Sequence, residues 1–416
     1  MKLLWLCNNQ PGVIRSHIEG REAGAVNWMD HVLDDLRREG VTIRVLCPGD
    51  GQSGQLDDGC SYATFPAAKK PHECNPEQVP FFREQIRSFA PEVIHIWGVE
   101  YSHALAMANA AQELGMLSHT AASIQGLCGV YAGHYCEGLP DRIVRRYTFR
   151  DFLRQDNIRQ QQKKFALRGE NERKAIGKLE HVIGRTLWDR ACAENMNPQI
   201  HYHFCNETLR EPFYEGQWCY DGCRKHQIFA SSKLYSVKGF HYLLEALAQL
   251  KKTYPDARAC VTGDSYMTQG LRAAIRRDSY AKYLRELTLQ YHLEDSVFFL
   301  GSLSAQQMKE AFLEANVYVL PSTIENSPNS MGEAMLLGVP VVAASVGGVA
   351  DLLRHGEEGL LYPPTSPYML ASLISRVFQM GEAAAIYGQK AREHALKTHD
   401  PDANLETLLA IYNSLI

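Results

Sequence analysis

The sequence predicts an α/β protein of two Rossmann-like, doubly wound domains in tandem, and three observations carry that prediction. Short apolar runs alternate with longer amphipathic stretches from end to end, the pattern of βαβ units wound around parallel sheets. The length of 416 residues, at roughly 100–200 residues per domain, favours two or three domains over one. The periodicity fails in one aromatic, polar stretch, 206–225, which divides the alternation into two sets of similar size.

Taken in order, residues 3–7, 42–47, 93–97 and 182–183 read as buried strands of a first domain spanning 1–205. Between the first two strands, 26–39 reads as a helix, with Gly40 as its stop signal. The second domain, 206–399, shows sharper strands at 227–230, 257–262, 297–300, 317–320 and 339–343, with helical patterns such as 239–253 and 305–315 between them. A last helix follows the Asp400-Pro401-Asp402 break, and 400–416 is expected to pack back on the first domain.

Apolar residues at 45% and charged residues at 22% are ordinary globular usage. With a net charge of −4, nothing global suggests a nucleic-acid binder, and none is expected as a partner. Eleven cysteines would form a disulfide framework in a small secreted chain. Here the apolar start turns polar at Asn8-Asn9, too early for a signal segment, so a reduced, cytoplasmic protein is expected. Cys219 and Cys223 with His226 form half of a zinc site, but a second ligand pair at matching spacing is missing, so no metal is expected.

The chemistry concentrates in 317–348. An apolar strand ends at Pro321, a polar loop follows, and a short helix begins near Ser330 and stops at Gly338. Such a loop lies beyond the carboxyl end of its strand, where open α/β sheets bind ligands. The amides of Asn329, Ser330 and Met331 at the helix start suit a phosphate. Glu325 and Glu333, eight residues apart, suit hydroxyl-rich sugars through bidentate acceptance. Amides in the middle and acids at both ends fit a nucleotide-diphosphate sugar. Upstream, Lys233 and Lys238 sit where a strand gives way to a helix, placed to neutralise a diphosphate leaving group. No Asp-x-Asp occurs anywhere, so the lysines stand where a carboxylate-held metal would act.

These blocks resemble a retaining glycosyltransferase of family 4, among the glycogen synthase-like or group 1 glycosyltransferases. The resemblance rests on the E-x7-E loop (Glu325, Glu333), the GVPVVAASVGG run behind it, Lys238-Gly239, and the VFFLG block ending at Gly301. It covers most of 226–365 in the expected order and implies the GT-B fold, two Rossmann-like domains facing a deep cleft. It further implies that Glu325, Lys238 and Lys233 act at the reacting centre. Glu333, Asn329, Ser330, Met331, Ser327, Gly24 and Gly301 would bind the donor, a UDP- or GDP-sugar being the implied co-substrate, with no other cofactor. Lys233 stands where the family usually has Arg, matching the charge but not the planar fork. Ala23-Gly24-Ala25 is the best match to a Gly-Gly loop, and Gln125-Gly126 stands where many members have His-Gly.

On the acceptor side the candidates are Gln125, His95, Trp97 and Arg185, three of them at or just beyond predicted strand ends. The acceptor is expected to be a carbohydrate or lipid-linked, in polysaccharide or glycolipid biosynthesis. Within 142–178 there are twelve Lys/Arg against four acids, and Arg142, Arg146, Arg150 and Arg154 recur every four residues as on one helix face. Three readings remain open for this segment: a solvated helix, an anionic membrane surface visited from the cytoplasm, or an acidic acceptor. Two rival functions stay beside the transferase. One is an epimerase or phosphorylase on the same fold; the other is a sugar-nucleotide-binding module without chemistry.

Overall fold

The structure, a computed structural model, describes residues 1–20, 28–57, 59–231 and 235–416. The chain divides into two compact units. The first comprises Met1–Val130, Lys164–Thr208 and His399–Ile416; the second comprises Tyr131–Lys163 and Leu209–Thr398.

In the first unit the strands are β1 (Lys2–Cys7), β2 (Thr42–Pro48), β3 (Ser53–Asp57), β4 (Cys60–Phe65), β5 (Val93–Trp97), β6 (Thr120–Ser123), β7 (His181–Gly184) and β8 (His201–Phe204). They form one sheet of order β3-β4-β2-β1-β5-β6-β7-β8, parallel except where β3 runs against β4. The central strands β1 and β5 are near-continuous apolar runs because helices cover both faces. One face packs Phe82, Ile86 and Met107 from the helices Gln78–Phe89 and Ser102–Glu113. The other packs Leu33 and Leu36 with Leu408, Ile411 and Tyr412 of the C-terminal helix Pro401–Ser414.

The second unit carries β9 (Gln227–Ala230), β10 (Arg258–Val261), β11 (Val297–Phe299), β12 (Val317–Leu320), β13 (Val341–Ala344) and β14 (Leu360–Tyr362). All pair in parallel in the order β11-β10-β9-β12-β13-β14. The predicted helix at 239–253 is Phe240–Leu250, opened by Gly239 in the left-handed region.

Two readings are corrected here. Residues 131–163, expected in the first domain, belong to the second unit. The Ser236 hydroxyl donates to the Tyr135 carbonyl at 2.7 Å, the Asn326 amide donates to the Tyr131 hydroxyl at 3.0 Å, and Arg146 makes a fork onto both Glu286 oxygens at 2.9 Å. Nor do Arg142 to Arg154 share one helix face. The segment breaks into Asp141–Val144, Phe149–Arg154 and Ile158–Ile176, because Thr148 opens a new helix with a capping box to Asp151. The sequence reading also missed β3, β4, β6, β8 and β14: SGQLD, CSYATF, TAAS and HYHF mix in small or polar side chains and LLY is three residues long, so none shows an extended apolar run.

Candidate functional site

In an open parallel sheet, ligands sit beyond the carboxyl ends of the strands where the strand order reverses. In the second unit that point lies between β9 and β12, because β10 and β11 extend to one side of β9 and β12 to β14 to the other. The loops leaving these strands are stitched together. The Thr323 amide donates to the Val237 carbonyl at 2.8 Å, and Gly239, at φ 65°, lies so close that an added Cβ would stand 1.8 Å from the Pro321 carbonyl oxygen. Lys238-Gly239 is thus fixed by backbone geometry as well as by charge.

Across this seam Lys238 Nζ lies 2.5 Å from Glu325 Oε1, and the Ser322 hydroxyl donates to the same oxygen at 2.7 Å. Burial pulls the Lys238 ammonium down, but Glu325, with Tyr235 behind it, reverses the effect, and the net shift is upward. The backbone of Glu325 is clamped from behind. Its carbonyl accepts from the Gly348 amide at 3.1 Å, and a Cβ on Gly347 would stand 1.8 Å from that oxygen.

The helix Asn329–Leu336 begins directly after Pro328. Tyr318, at the heart of β12, links its hydroxyl to Ser330 at 2.8 Å and to Ser231 at 3.2 Å, joining the two loops; burial pushes this phenol up to about 12. The Met331 amide donates to the Pro328 carbonyl at 2.9 Å, which corrects the expectation that it faces an anion. Asn329 and Ser330 stand in the first turn, half-exposed, and Ser327 is buried beside them. Glu333 is held by a residue that sequence reasoning missed: Arg210 donates from Nε at 2.7 Å and from Nη2 at 2.8 Å, a bidentate fork. Burial raises the Glu333 carboxyl, and Arg210 opposes that rise. Nothing local flags Arg210, which lies 123 residues away in the stretch without periodicity. Gly301, at φ 67°, accepts from the Gly263 amide at 2.8 Å beyond the ends of β10 and β11. Lys233 and Gly24 lie outside the described residues.

The first unit has its own reversal point, between β1 and β5. A cavity of about 450 Å³ opens there, lined by Asn8, Gln10, Trp97, Glu100, Gln125 and Arg168. The Asn8 amide donates to Glu100 Oε2 at 2.7 Å, and the His103 ring meets Asn8 Oδ1 at 2.8 Å. Arg168 donates to the Glu100 carbonyl at 2.8 Å and lays its guanidinium over Tyr101, 4.5 Å from the ring centre. Burial raises the Glu100 carboxyl. Gln125 donates to Glu207 Oε1 at 2.5 Å and Arg185 to Glu207 Oε2 at 2.8 Å, so two predicted residues meet on a third that the sequence did not single out.

His95 is corrected. Its side chain is fully buried, with Nδ1 2.6 Å from the Tyr412 hydroxyl and Nε2 2.8 Å from the Ser123 hydroxyl, stacked on Trp97. It ties the C-terminal helix to the sheet and presents no atom to a ligand. Burial pushes the ring down to about 3, so it is neutral. Among the described residues no three His, Cys, Asp or Glu side chains are grouped to hold a metal ion, and no helix is long and apolar enough to cross a membrane.

Residues 224–394, most of the second unit, match the family model for glycosyl transferases, group 1. The chain is 36% identical over 160 residues to the exopolysaccharide phosphotransferase SCO2592 of Streptomyces coelicolor, covering 38% of this chain and 15% of that one. It is 29% identical over 196 residues to D-inositol 3-phosphate glycosyltransferase of Acidothermus cellulolyticus, covering 47% and 42%. The matches thus span less than half the length of these curated relatives. Among solved structures, sucrose-phosphate synthase from Thermosynechococcus elongatus superposes over the whole chain and 99% of its own, at TM-score 0.74 and 17% identity. Anabaena HepE in complex with UDP-glucose covers 100% of both chains at TM-score 0.67 and 18% identity. At these identities the likeness shows the fold, the α/β GT-B architecture with two largely parallel sheets.

Proposed function

We propose that this protein is a retaining, metal-independent glycosyltransferase that moves a sugar from a nucleotide-diphosphate donor to an acceptor hydroxyl. The observation that carries the reading is the Lys238–Glu325 pair at the β9/β12 reversal point, inside the segment that matches group 1 glycosyl transferases. A diphosphate entering there draws the Lys238 ammonium to itself and frees the Glu325 carboxylate to accept hydrogen bonds from the sugar hydroxyls. Lys233 adds a second positive charge for the leaving group. Asn329 and Ser330 offer the helix start to the phosphates, with Ser327 beside them, and Glu333, aligned by Arg210, holds the ribose.

The bond from the anomeric carbon to the diphosphate breaks through an oxocarbenium-like state. The acceptor oxygen attacks from the same face, and its proton passes to the departing phosphate oxygen. The acceptor, a carbohydrate or a lipid-linked sugar of polysaccharide or glycolipid biosynthesis, binds at the first unit through Trp97, Gln125 and the Glu207–Arg185 pair. HepE was solved with UDP-glucose, which favours a UDP-sugar donor here, with GDP-sugars as the alternative.

A panel of UDP-, GDP- and ADP-sugars, followed by thermal melting, tests this reading. A ligand at a hundred times its Kd adds about 2.7 kcal/mol of stability. One nucleotide class should stabilise the protein, turnover should survive chelation of divalent metals, and the product anomer should match the donor. No stabilisation by any member and no donor hydrolysis would remove the proposal.

A further inference from the structure

A surface helix of a water-soluble protein normally turns its apolar stripe inward and its charges outward. The helix Phe149–Arg154 does the reverse. Its buried residue is Asp151, while Phe149, Phe152 and Leu153, which share one face at i, i+3 and i+4, are 59%, 64% and 66% exposed. Tyr147, just before the helix, is also exposed. A second short helix, Leu271–Arg276, packs beside it and repeats the pattern. It buries no residue, and Leu271 and Ile275, one turn apart, are both exposed, Leu271 at 77%.

This arrangement is held from below. Asp151 Oδ2 accepts from the Thr148 amide at 3.2 Å and from the Ser279 amide at 3.0 Å, and Arg150 lies among Asp151, Asp156 and Asp278. Asp151 and Arg150, which would face water in an ordinary helix, anchor this one, while Arg154 stays exposed. Within 141–154 and 271–276, the two helices and the turn before the first, the exposed charges are mostly positive: Arg142, Arg145, Arg154, Arg272 and Arg276, against Asp141, which pairs with Arg145 at 3.7 Å.

We propose that the joint face of Phe149–Arg154 and Leu271–Arg276 docks on an anionic lipid bilayer. Aromatic and aliphatic side chains at i, i+3 and i+4 enter the acyl boundary while the arginines stay at the phosphate level, the arrangement of interfacial helices. The charge of the rim selects an acidic membrane over a neutral one. The docking surface is the apolar face itself; the basic character of 142–178 enters through Arg142, Arg145 and Arg154. It does not depend on which reaction the protein carries out.

Vesicle co-sedimentation of the full chain tests this, comparing phosphatidylcholine alone with phosphatidylcholine containing phosphatidylglycerol. The parent should bind the mixed vesicles and not the neutral ones. The triple variant Phe149→Ser/Phe152→Ser/Leu153→Ser should bind at least tenfold more weakly, with an unchanged melting temperature because all three side chains are exposed. A Phe152→Trp variant should shift its fluorescence to the blue only with the mixed vesicles. Failure of the parent to bind acidic vesicles would overturn the proposal, as would equal binding by the triple variant. So would a parent that is dimeric and a triple variant that is monomeric, with no vesicle binding by either; the face would then join two copies of the chain.

Discussion

Lys238 and Glu325, 87 residues apart in the chain, meet at 2.5 Å where the strand order of the second sheet reverses. Each half of the pair is supplied by a different strand end, and each is set by a glycine that admits no side chain, Gly239 for the lysine and Gly347 for the glutamate. If the pair opens onto the donor, Lys238→Ala and Glu325→Gln should each lower kcat/KM at least about a hundredfold, which is about 2.7 kcal/mol of transition-state stabilisation. Lys238→Ala also leaves Glu325 nearly buried without its counter-charge, a change that costs about 3 kcal/mol in comparable pairs. Glu325→Gln keeps an acceptor for the lysine and should melt closer to the parent. Steady-state kinetics within tenfold of the parent for either variant would sink the assignment.

Arg210 should matter through geometry more than through charge. Its two nitrogens fit the two oxygens of Glu333, a match that an ammonium cannot make. Arg210→Lys should raise the donor KM about tenfold, or about 1.4 kcal/mol, with kcat changed less, because Glu333 is assigned to the ribose and not to the reacting bond. A fall confined to kcat would contradict this division of roles.

The glycines give a stability comparison. Gly239, Gly347 and Gly356 all have positive φ, so alanine at any of them carries about 1–2 kcal/mol of left-handed backbone cost. Gly356 has nothing within 4 Å of its missing Cβ, whereas the other two would press a carbon 1.8 Å from a carbonyl oxygen. In urea unfolding Gly356→Ala should lose only the backbone cost, and Gly239→Ala and Gly347→Ala at least about twice as much. Equal losses for all three would show that the stitched loops can part without strain.

His95 should make the first unit sensitive to acid. Its folded pKa, about 3, lies below the unfolded value near 6.5. Between these values the unfolded chain binds a proton that the folded chain refuses. The neutral ring's contribution is therefore complete above pH 6.5 and is lost as pH falls towards 3, by up to about 1.4 kcal/mol per pH unit. His95→Gln keeps groups able to meet Ser123 and Tyr412 but cannot titrate. The stability gap between parent and variant should thus narrow or reverse from pH 7 to pH 4; a gap constant over that range would refute it. His103 and His241, also held neutral by burial, cancel in the difference.

What the sequence determined by itself is whatever is encoded over a span of a few residues. The alternation of apolar runs with amphipathic stretches gave two largely parallel sheets, since a strand buried on both faces is mostly apolar. The loop from Pro321 to Gly348 was legible because strand, turn, helix start and two carboxylates follow one another directly. Tertiary structure alone decided the partners. Arg210 on Glu333, Glu207 between Gln125 and Arg185, and Tyr412 on His95 join residues 22 to 317 positions apart, and no local pattern fixes a pairing at that range. The passage of 131–163 into the second unit rests on contacts with Ser236, Asn326 and Glu286, all far along the chain. The same limit explains the inverted helix at Phe149–Arg154. Its spacing shows which side chains share a face, but only the packed neighbours decide that Asp151 turns inward and the phenylalanines outward.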